Sequence, residues 1–170
     1  MKRFVLPLVI AVLLGTAVQA ADYFDKVKGE KPTAEPEEGH AVVYVFRPAV
    51  VGAAVKTWAF VNDELIMVSK ARSYSFAQVP AGKHLFWTKS ENTSGLEMEI
   101  EAGKTYYFKL AIKAGFGKAR ARLEPLDESD LQKMMKKCSY VTPTAEGLAR
   151  AKEIVAERME KAAEKAQKKG

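Results

Sequence analysis

From Ala41 to Pro125 apolar and polar positions alternate with period two, interrupted every eight to twelve residues or so by turn-forming Gly, Pro or Asn-Asp, the rhythm of strands in a sandwich or barrel. Ala41–Arg47 (AVVYVFR) is apolar on both faces, which predicts a central strand stopped by Pro48. Val55–Val61 and Leu65–Val68 flank Asn62-Asp63, a turn-favouring pair, and predict a hairpin. In AQVPAGKHLFW (Ala77–Trp87) two apolar runs meet at Pro80-Ala81-Gly82. Read as a three-residue hairpin loop, this places Phe76 opposite Phe86 on one face and Ala77 opposite Leu85 on the other. Both faces of that hairpin are apolar, so one is expected to meet a second sheet and the other to lie under the C-terminal helix.

The next hairpin follows from parity. Between Gly95 and Lys113, Leu96, Met98 and Ile100 share a face with Tyr106, Phe108, Leu110 and Ile112 only across an odd loop. Glu101-Ala102-Gly103 supplies it, with Gly103 able to take a positive φ. After Pro125 the period becomes helical. Asp127–Cys138 opens on acids and continues with lysines, matching the helix dipole. Thr142 then reads as the N-cap, and Pro143 as the first turn, of a long helix running to about Lys168. Glu146/Arg150, Glu157/Lys161 and Glu164/Lys168 fall at four-residue spacing along it. Its apolar side is Leu148, Val155 and Met159, then Ala162 and Ala166, so its first half is expected to dock on the sheet and its Lys-rich end to project into solvent. The fold class is mainly β: an antiparallel β-sandwich over residues 40–125 with a C-terminal α-helical extension over 126–170.

Ahead of the sandwich, Met1-Lys2-Arg3, the apolar run Phe4–Ala17 and the small residues around Val18-Gln19-Ala20 form the pattern of a signal peptide over 1–20, cut at Ala20/Ala21. No Cys follows the run, so the lipid-attachment site of lipoproteins is missing, and a soluble periplasmic or secreted protein is expected. Residues 21–39 read as a linker, because KGEKPTAEPEEG (28–39) has two prolines and no large apolar side chain. A chain of 170 residues accommodates one globular core with such extensions.

Charge adds little by its total. The net +6 falls to +4 without Lys2 and Arg3, and export argues against a nucleic-acid partner. Its distribution says more: Asp22–His40 is net negative and Ala41–Pro125 carries the positive excess. The single thiol, Cys138, allows no internal disulfide. It shares a helical face with Leu131, Met134 and Met135, which predicts a buried core Cys, an intermolecular disulfide being the alternative. His40 and His84 belong to no nucleophilic, metal-binding or acid-base arrangement. Glu97 and Glu99 alternate with apolar residues as the solvated face of a strand. No catalytic residue, metal ligand or cofactor is predicted.

The strongest local pattern is KAGFGKARAR (Lys113–Arg122). Beyond the Gly115-Phe116-Gly117 turn, Lys118, Arg120 and Arg122 share one face, close to Lys109 and Lys113 on the preceding strand. Such like charges need a counter-charge. Either Glu97, Glu99 and Glu124 neutralise them, or the face, with Phe116 at its turn, binds an anionic lipid headgroup, acidic glycan or acidic protein surface. A second candidate is one loop end of the sandwich, where Pro48–Ala54, Ser69–Arg72, Lys89–Ser94 and Ala114–Gly117 gather and offer Lys70, Arg72, Lys89, Asn92 and Phe116.

Taken together, AVVYVFRP, SYSFAQVPAGKHLF and ENTSGLEMEIEAGKTYYFKLAI resemble the bacterial exported proteins grouped as domain of unknown function 2846, over Gly39 to about Pro125. The resemblance implies a small β-sandwich akin to PEGA-type surface modules of the bacterial envelope. The expected function is a non-enzymatic envelope binding or structural module that contacts an anionic partner. The alternative is a structural subunit that assembles through its C-terminal helix, with itself or with a surface or secretion complex.

Overall fold

All seven residues of Ala41–Arg47 are buried, and the rest of the chain is arranged to cover both faces of that segment. The computed structural model describes residues 22–29, 31–50, 55–114 and 119–168. The expected signal peptide lies outside these residues, as do positions 51–54 of the first loop and the Gly115-Phe116-Gly117 turn. In chain order the strands are β1 (Phe24–Lys26), β2 (His40–Arg47), β3 (Thr57–Val61), β4 (Glu64–Ser69) and β5 (Ser73–Pro80). Then come β6 (Gly82–Lys89), β7 (Thr93–Ile100), β8 (Thr105–Ala114) and β9 (Ala119–Pro125). A 3-10 turn (Glu128–Asp130), α1 (Leu131–Lys137), β10 (Ser139–Pro143) and α2 (Ala145–Gln167) complete the fold.

Among the described residues the strands form two sheets, one of six in the order β1-β10-β5-β2-β8-β9 and one of four in the order β4-β3-β6-β7. Ala41, Val43 and Val45 of β2 face the inter-sheet core with Ala59, Val61, Met67, Phe86, Ile100, Phe108 and Leu110. A sandwich with a C-terminal helix is therefore observed, although its larger sheet is mixed: β2 runs parallel to β8, and β5 parallel to β10.

Two expected hairpins are corners between the sheets. β5 pairs with β2, whereas β6 pairs with β3 and β7, so Phe76 does not face Phe86, nor Ala77 Leu85. Pro80-Ala81-Gly82 carries the chain from one sheet to the other, with Gly82 at φ 129, a backbone conformation that L side chains rarely adopt. The hairpin reading fails because a chain apolar on both faces suits a sheet-to-sheet corner as well as a two-stranded pair. Glu101-Ala102-Gly103 crosses in the same way, from β7 to β8. The parity argument survives that change, since Leu96, Met98, Ile100, Tyr106, Phe108, Leu110 and Ile112 all pack on the one inter-sheet core. The expected β3–β4 hairpin forms, with Asn62 at φ 50 in its turn.

The second face of β2 carries Val42, Tyr44 and Phe46, which pack with Tyr74 under Met134 and Cys138. Over the same face runs the segment expected to be a linker. The Ala34 N–H donates to the Tyr44 hydroxyl (2.8 Å), the Tyr74 hydroxyl donates to the Pro32 carbonyl (2.9 Å), and Gln78 Nε2 donates to the Glu35 carbonyl (2.8 Å). Lys31 reaches the Met135 carbonyl. Composition misleads here because it counts apolar side chains, while this strap is held by its backbone polar groups, which find partners in the hydroxyls and amide beneath.

The outer face of the four-stranded sheet is covered by α2. Trp58, Phe60, Val68 and Trp87 pack against Ala151 and Ile154. The first half of α2 docks as expected, but its buried stripe is Gly147, Ala151 and Ile154: of the predicted residues Val155 packs beside them, whereas Leu148 and Met159 are 47% and 51% exposed. The ion pairs also differ, with Arg150 reaching Glu153 (2.7 Å) and Glu157 (3.0 Å). Thr142 and Pro143 belong to β10, which pairs with β1, so the N-cap is Thr144. Its hydroxyl accepts from the Gly147 N–H (3.1 Å) and donates to the Asp22 carbonyl (2.7 Å), while its own N–H bonds the Tyr23 carbonyl (3.1 Å). β1 and β10 escape notice in the sequence because they are short and pair only with each other and with the β5 edge.

A Cβ at Gly147 would overlap the Tyr23 carbonyl, so the first turn of α2 touches the N-terminal segment backbone to backbone. In an exposed helix Gly→Ala gains up to about 1 kcal/mol. Here Gly147→Ala is expected instead to cost about 1–3 kcal/mol and to lower the thermal midpoint by several degrees. An unchanged or raised midpoint contradicts this contact.

Candidate functional site

Period-two geometry on β8 and β9 decides which of the predicted cations meet. Facing partners are Lys109↔Glu124, Ala111↔Arg122 and Lys113↔Arg120, all on the outer side, because Phe108, Leu110, Ile112, Ala121 and Leu123 point into the inter-sheet core. Glu124 answers half of the patch. Its carboxylate accepts from Arg122 Nε (2.6 Å) and lies 3.4 Å from Lys109 Nζ, and the Arg122 hydrogen bond, seconded by Lys109, holds its carboxyl below the usual range. Glu97 and Glu99 take no part. They lie on β7 in the other sheet, where Glu97 pairs with Lys83 at 3.8 Å.

Lys113 and Arg120 remain. Both are exposed and directly opposite one another, an arrangement that repels in an antiparallel pair. Among the described residues no ion pair forms at either. Phe116 and Lys118 lie outside the described residues.

The expected gathering of loops at this end is drawn together by Arg47. Its side chain is wholly buried, and Nη1 donates to the carbonyls of Val55 (2.7 Å) and Ser69 (2.8 Å) and to the Thr57 hydroxyl (3.3 Å). Desolvation brings its pKa down to about 10. On the other side of the same end, the Ala121 N–H donates to Asn92 Oδ1 (2.7 Å), and Asn92 Nδ2 donates to the Ala121 carbonyl (3.1 Å). Asn92 thus braces this loop against β9.

Arg72 opens into a cavity of about 470 Å³ shared with Pro48, Val50, Lys136 and Lys137. Val50 is 53% exposed there. Lys136 and Lys137 were missed as site residues because the helix dipole already accounted for two lysines in the last turn of a helix. The loop end thus presents Arg72, Lys113, Arg120, Lys136 and Lys137 around a rigid interior.

Other titratable groups serve the fold. His84 bridges the Pro80 carbonyl (Nε2, 2.8 Å) and the Asn62 amide (Nδ1, 2.8 Å), and His40 Nδ1 bonds the Glu38 carbonyl (2.8 Å). Among the described residues no group of three His, Cys, Asp or Glu is placed to hold a metal ion. Cys138 is 1% exposed, packed as expected with Leu131, Met134 and Met135. Burial pushes its thiol up to about 11. Among the described residues no helix is long and apolar enough to cross a membrane.

The family model described as protein of unknown function (DUF2846) matches residues 37–122, half of the chain. This chain belongs to that family. The DUF2846 match begins just before β2 and ends inside β9, so it takes in the sandwich with Arg72, Lys113 and Arg120 but leaves out α1, β10 and α2. It agrees closely with the resemblance drawn from the motifs between Gly39 and Pro125. An uncharacterized protein of Haemophilus influenzae is 30% identical to the chain over 103 residues, 60% of this chain and 61% of the relative. The chain thus spans less than two thirds of that relative's length.

The buried thiol sets a pH dependence. Below pH 9 folded and unfolded chains both hold the Cys138 proton and its contribution is whole; between about 9 and 11 the unfolded chain ionises first, so stability falls as pH rises. From pH 8 to pH 10, urea unfolding of the wild type is expected to lose about 1 kcal/mol more than that of Cys138→Ala. Parallel profiles contradict the assignment.

Proposed function

We propose that this chain is a non-enzymatic module of the bacterial cell envelope that contacts an anionic partner through the cationic loop end of its sandwich. The observation carrying this reading is Lys113 facing Arg120 across β8 and β9, with no counter-charge among the described residues. Arg72, Lys136 and Lys137 line a cavity at the same end. Unpaired like charges cost the folded chain stability, and that cost is offset when an acidic surface docks. An envelope location is supported by the apolar run Phe4–Ala17 followed by small residues. The basic face expected from the sequence contracts to this rim, since Lys109 and Arg122 share Glu124.

The test is cross-linking capture in intact envelopes. Lys113→Glu/Arg120→Glu is expected to lower the yield of the captured species at least about tenfold, at about 1 kcal/mol per surface cation, while Lys83→Glu on the other sheet leaves it unchanged. Equal yields from all three proteins dismiss the rim.

A second reading, assembly through α2, draws on Leu148 and Met159, two large apolar side chains about half exposed on that helix. It predicts an oligomer by light scattering that Leu148→Lys/Met159→Lys reduces to monomer. A monomeric wild type at every concentration removes it.

A further inference from the structure

The docking face of α2 changes character half-way along. Gly147, Ala151 and Ile154 are buried against the sheet. Continuing at the same helical spacing, Arg158, Lys161, Ala162 and Lys165 come next, and these still face the sheet side, lining a groove of about 370 Å³ with Trp87, Lys89 and Thr93. The Lys-rich end is exposed from Met159 to Lys168, as expected, and three of its cations, Arg158 just before that stretch with Lys161 and Lys165 in it, share the groove lining with a further one, Lys89.

The charges in this groove are unbalanced. Its one acid, Glu157, is held by Arg150 at 3.0 Å. Arg158 lies over the Trp87 ring, 4.8 Å from its centroid, with Asp63 at 3.9 Å. Among the described residues Lys89, Lys161 and Lys165 enter no ion pair. Beneath them the floor is exposed Ala162 with the edges of two buried side chains, Ile154 (2% exposed) and Trp87 (1% exposed), the latter stacked on Phe60 at 4.2 Å. A groove of this volume suits a small molecule. Cations over an apolar floor suit one with an anionic head and an apolar body.

We propose that the groove between the second half of α2 and the β6–β7 strands binds a small amphipathic anion, its carboxylate or phosphate held among Lys89, Lys161 and Lys165 and its apolar body laid along Ala162 and over the edges of Ile154 and Trp87. Lys89 and Thr93 belong to the same loop end as the rim, but the groove lies on the α2 side of the small sheet and Lys113 and Arg120 on the outer side of the large one, so neither claim depends on the other. The family match contributes only the sheet side of the groove, while α2 lies beyond it.

Trp87 provides the readout, with Trp58→Phe as background to remove the second indole. Decanoate is expected to change Trp87 emission saturably. Decanol, which lacks the charge, and inorganic phosphate, which lacks the apolar body, are each expected to bind at least about tenfold more weakly. Decyl phosphate in place of decanoate distinguishes a phosphate head from a carboxylate, and binding of either supports the site. Lys161→Gln/Lys165→Gln, at two exposed positions, is expected to weaken decanoate at least about tenfold with the circular dichroism unchanged. Lys113→Glu/Arg120→Glu is expected to leave it intact, which separates failure of the groove from failure of the rim. No response to either amphiphile, equal binding of phosphate alone or of decanol, or full affinity in the Lys161→Gln/Lys165→Gln protein overturns the proposal.

Discussion

The constraint on which this structure depends is that β2 needs cover on both faces. Its inward residues, Ala41, Val43 and Val45, demand a second sheet. Its outward ones, Val42, Tyr44 and Phe46, demand something else on the far side. α1 and the strap at residues 31–37 meet that second demand, and the polar atoms of Tyr44, Tyr74 and Gln78 fix the strap's path. The same problem recurs on the outer face of the small sheet, where Trp58, Phe60 and Trp87 call for α2. The chain thus stacks four layers: strap with α1, large sheet, small sheet, long helix.

How much of this the sequence discloses depends on whether the signal is local. Alternation places nearly every strand of the sandwich and correctly assigns the inward set from Leu96 to Ile112, because a side chain's face is fixed by its own strand. Pairing is not local. Pro80-Ala81-Gly82 and Glu101-Ala102-Gly103 carry the turn chemistry of hairpins yet join strands of different sheets, and only distant partners such as β2 decide the matter. Likewise the docked stripe of α2 is chosen by fit: Gly147 lets the helix approach Tyr23 where a larger residue could not, which leaves the more hydrophobic Leu148 outside.

The candidate surface divides along similar lines. That Lys109, Lys113, Arg120 and Arg122 share a face was legible from period two alone. That Glu124 shares this face with Arg122 follows from the same period; that it faces Lys109 and leaves Lys113 opposite Arg120 does not, since that depends on the β8–β9 register. The groove beside Trp87 was harder still to foresee. The Lys-rich end of α2 is solvated as its sequence suggests; what the sequence does not show is that the helix axis, set by Ile154 on the sheet, brings Arg158, Lys161 and Lys165 into one groove lining with Lys89. Rigid apolar packing is in this way what positions the charges in both places.

Hydrogen exchange at one amide tests the layered account most directly. The Ala34 N–H belongs to no strand and lies in a stretch whose composition reads as a linker, yet it donates to the Tyr44 hydroxyl over the covered face of β2. The account predicts that this amide is protected well above an unstructured chain, that Tyr44→Phe removes the protection, and that the amides of Ala41–Arg47 remain among the slowest in the protein. Exchange of Ala34 at the unstructured rate in the wild type would contradict it.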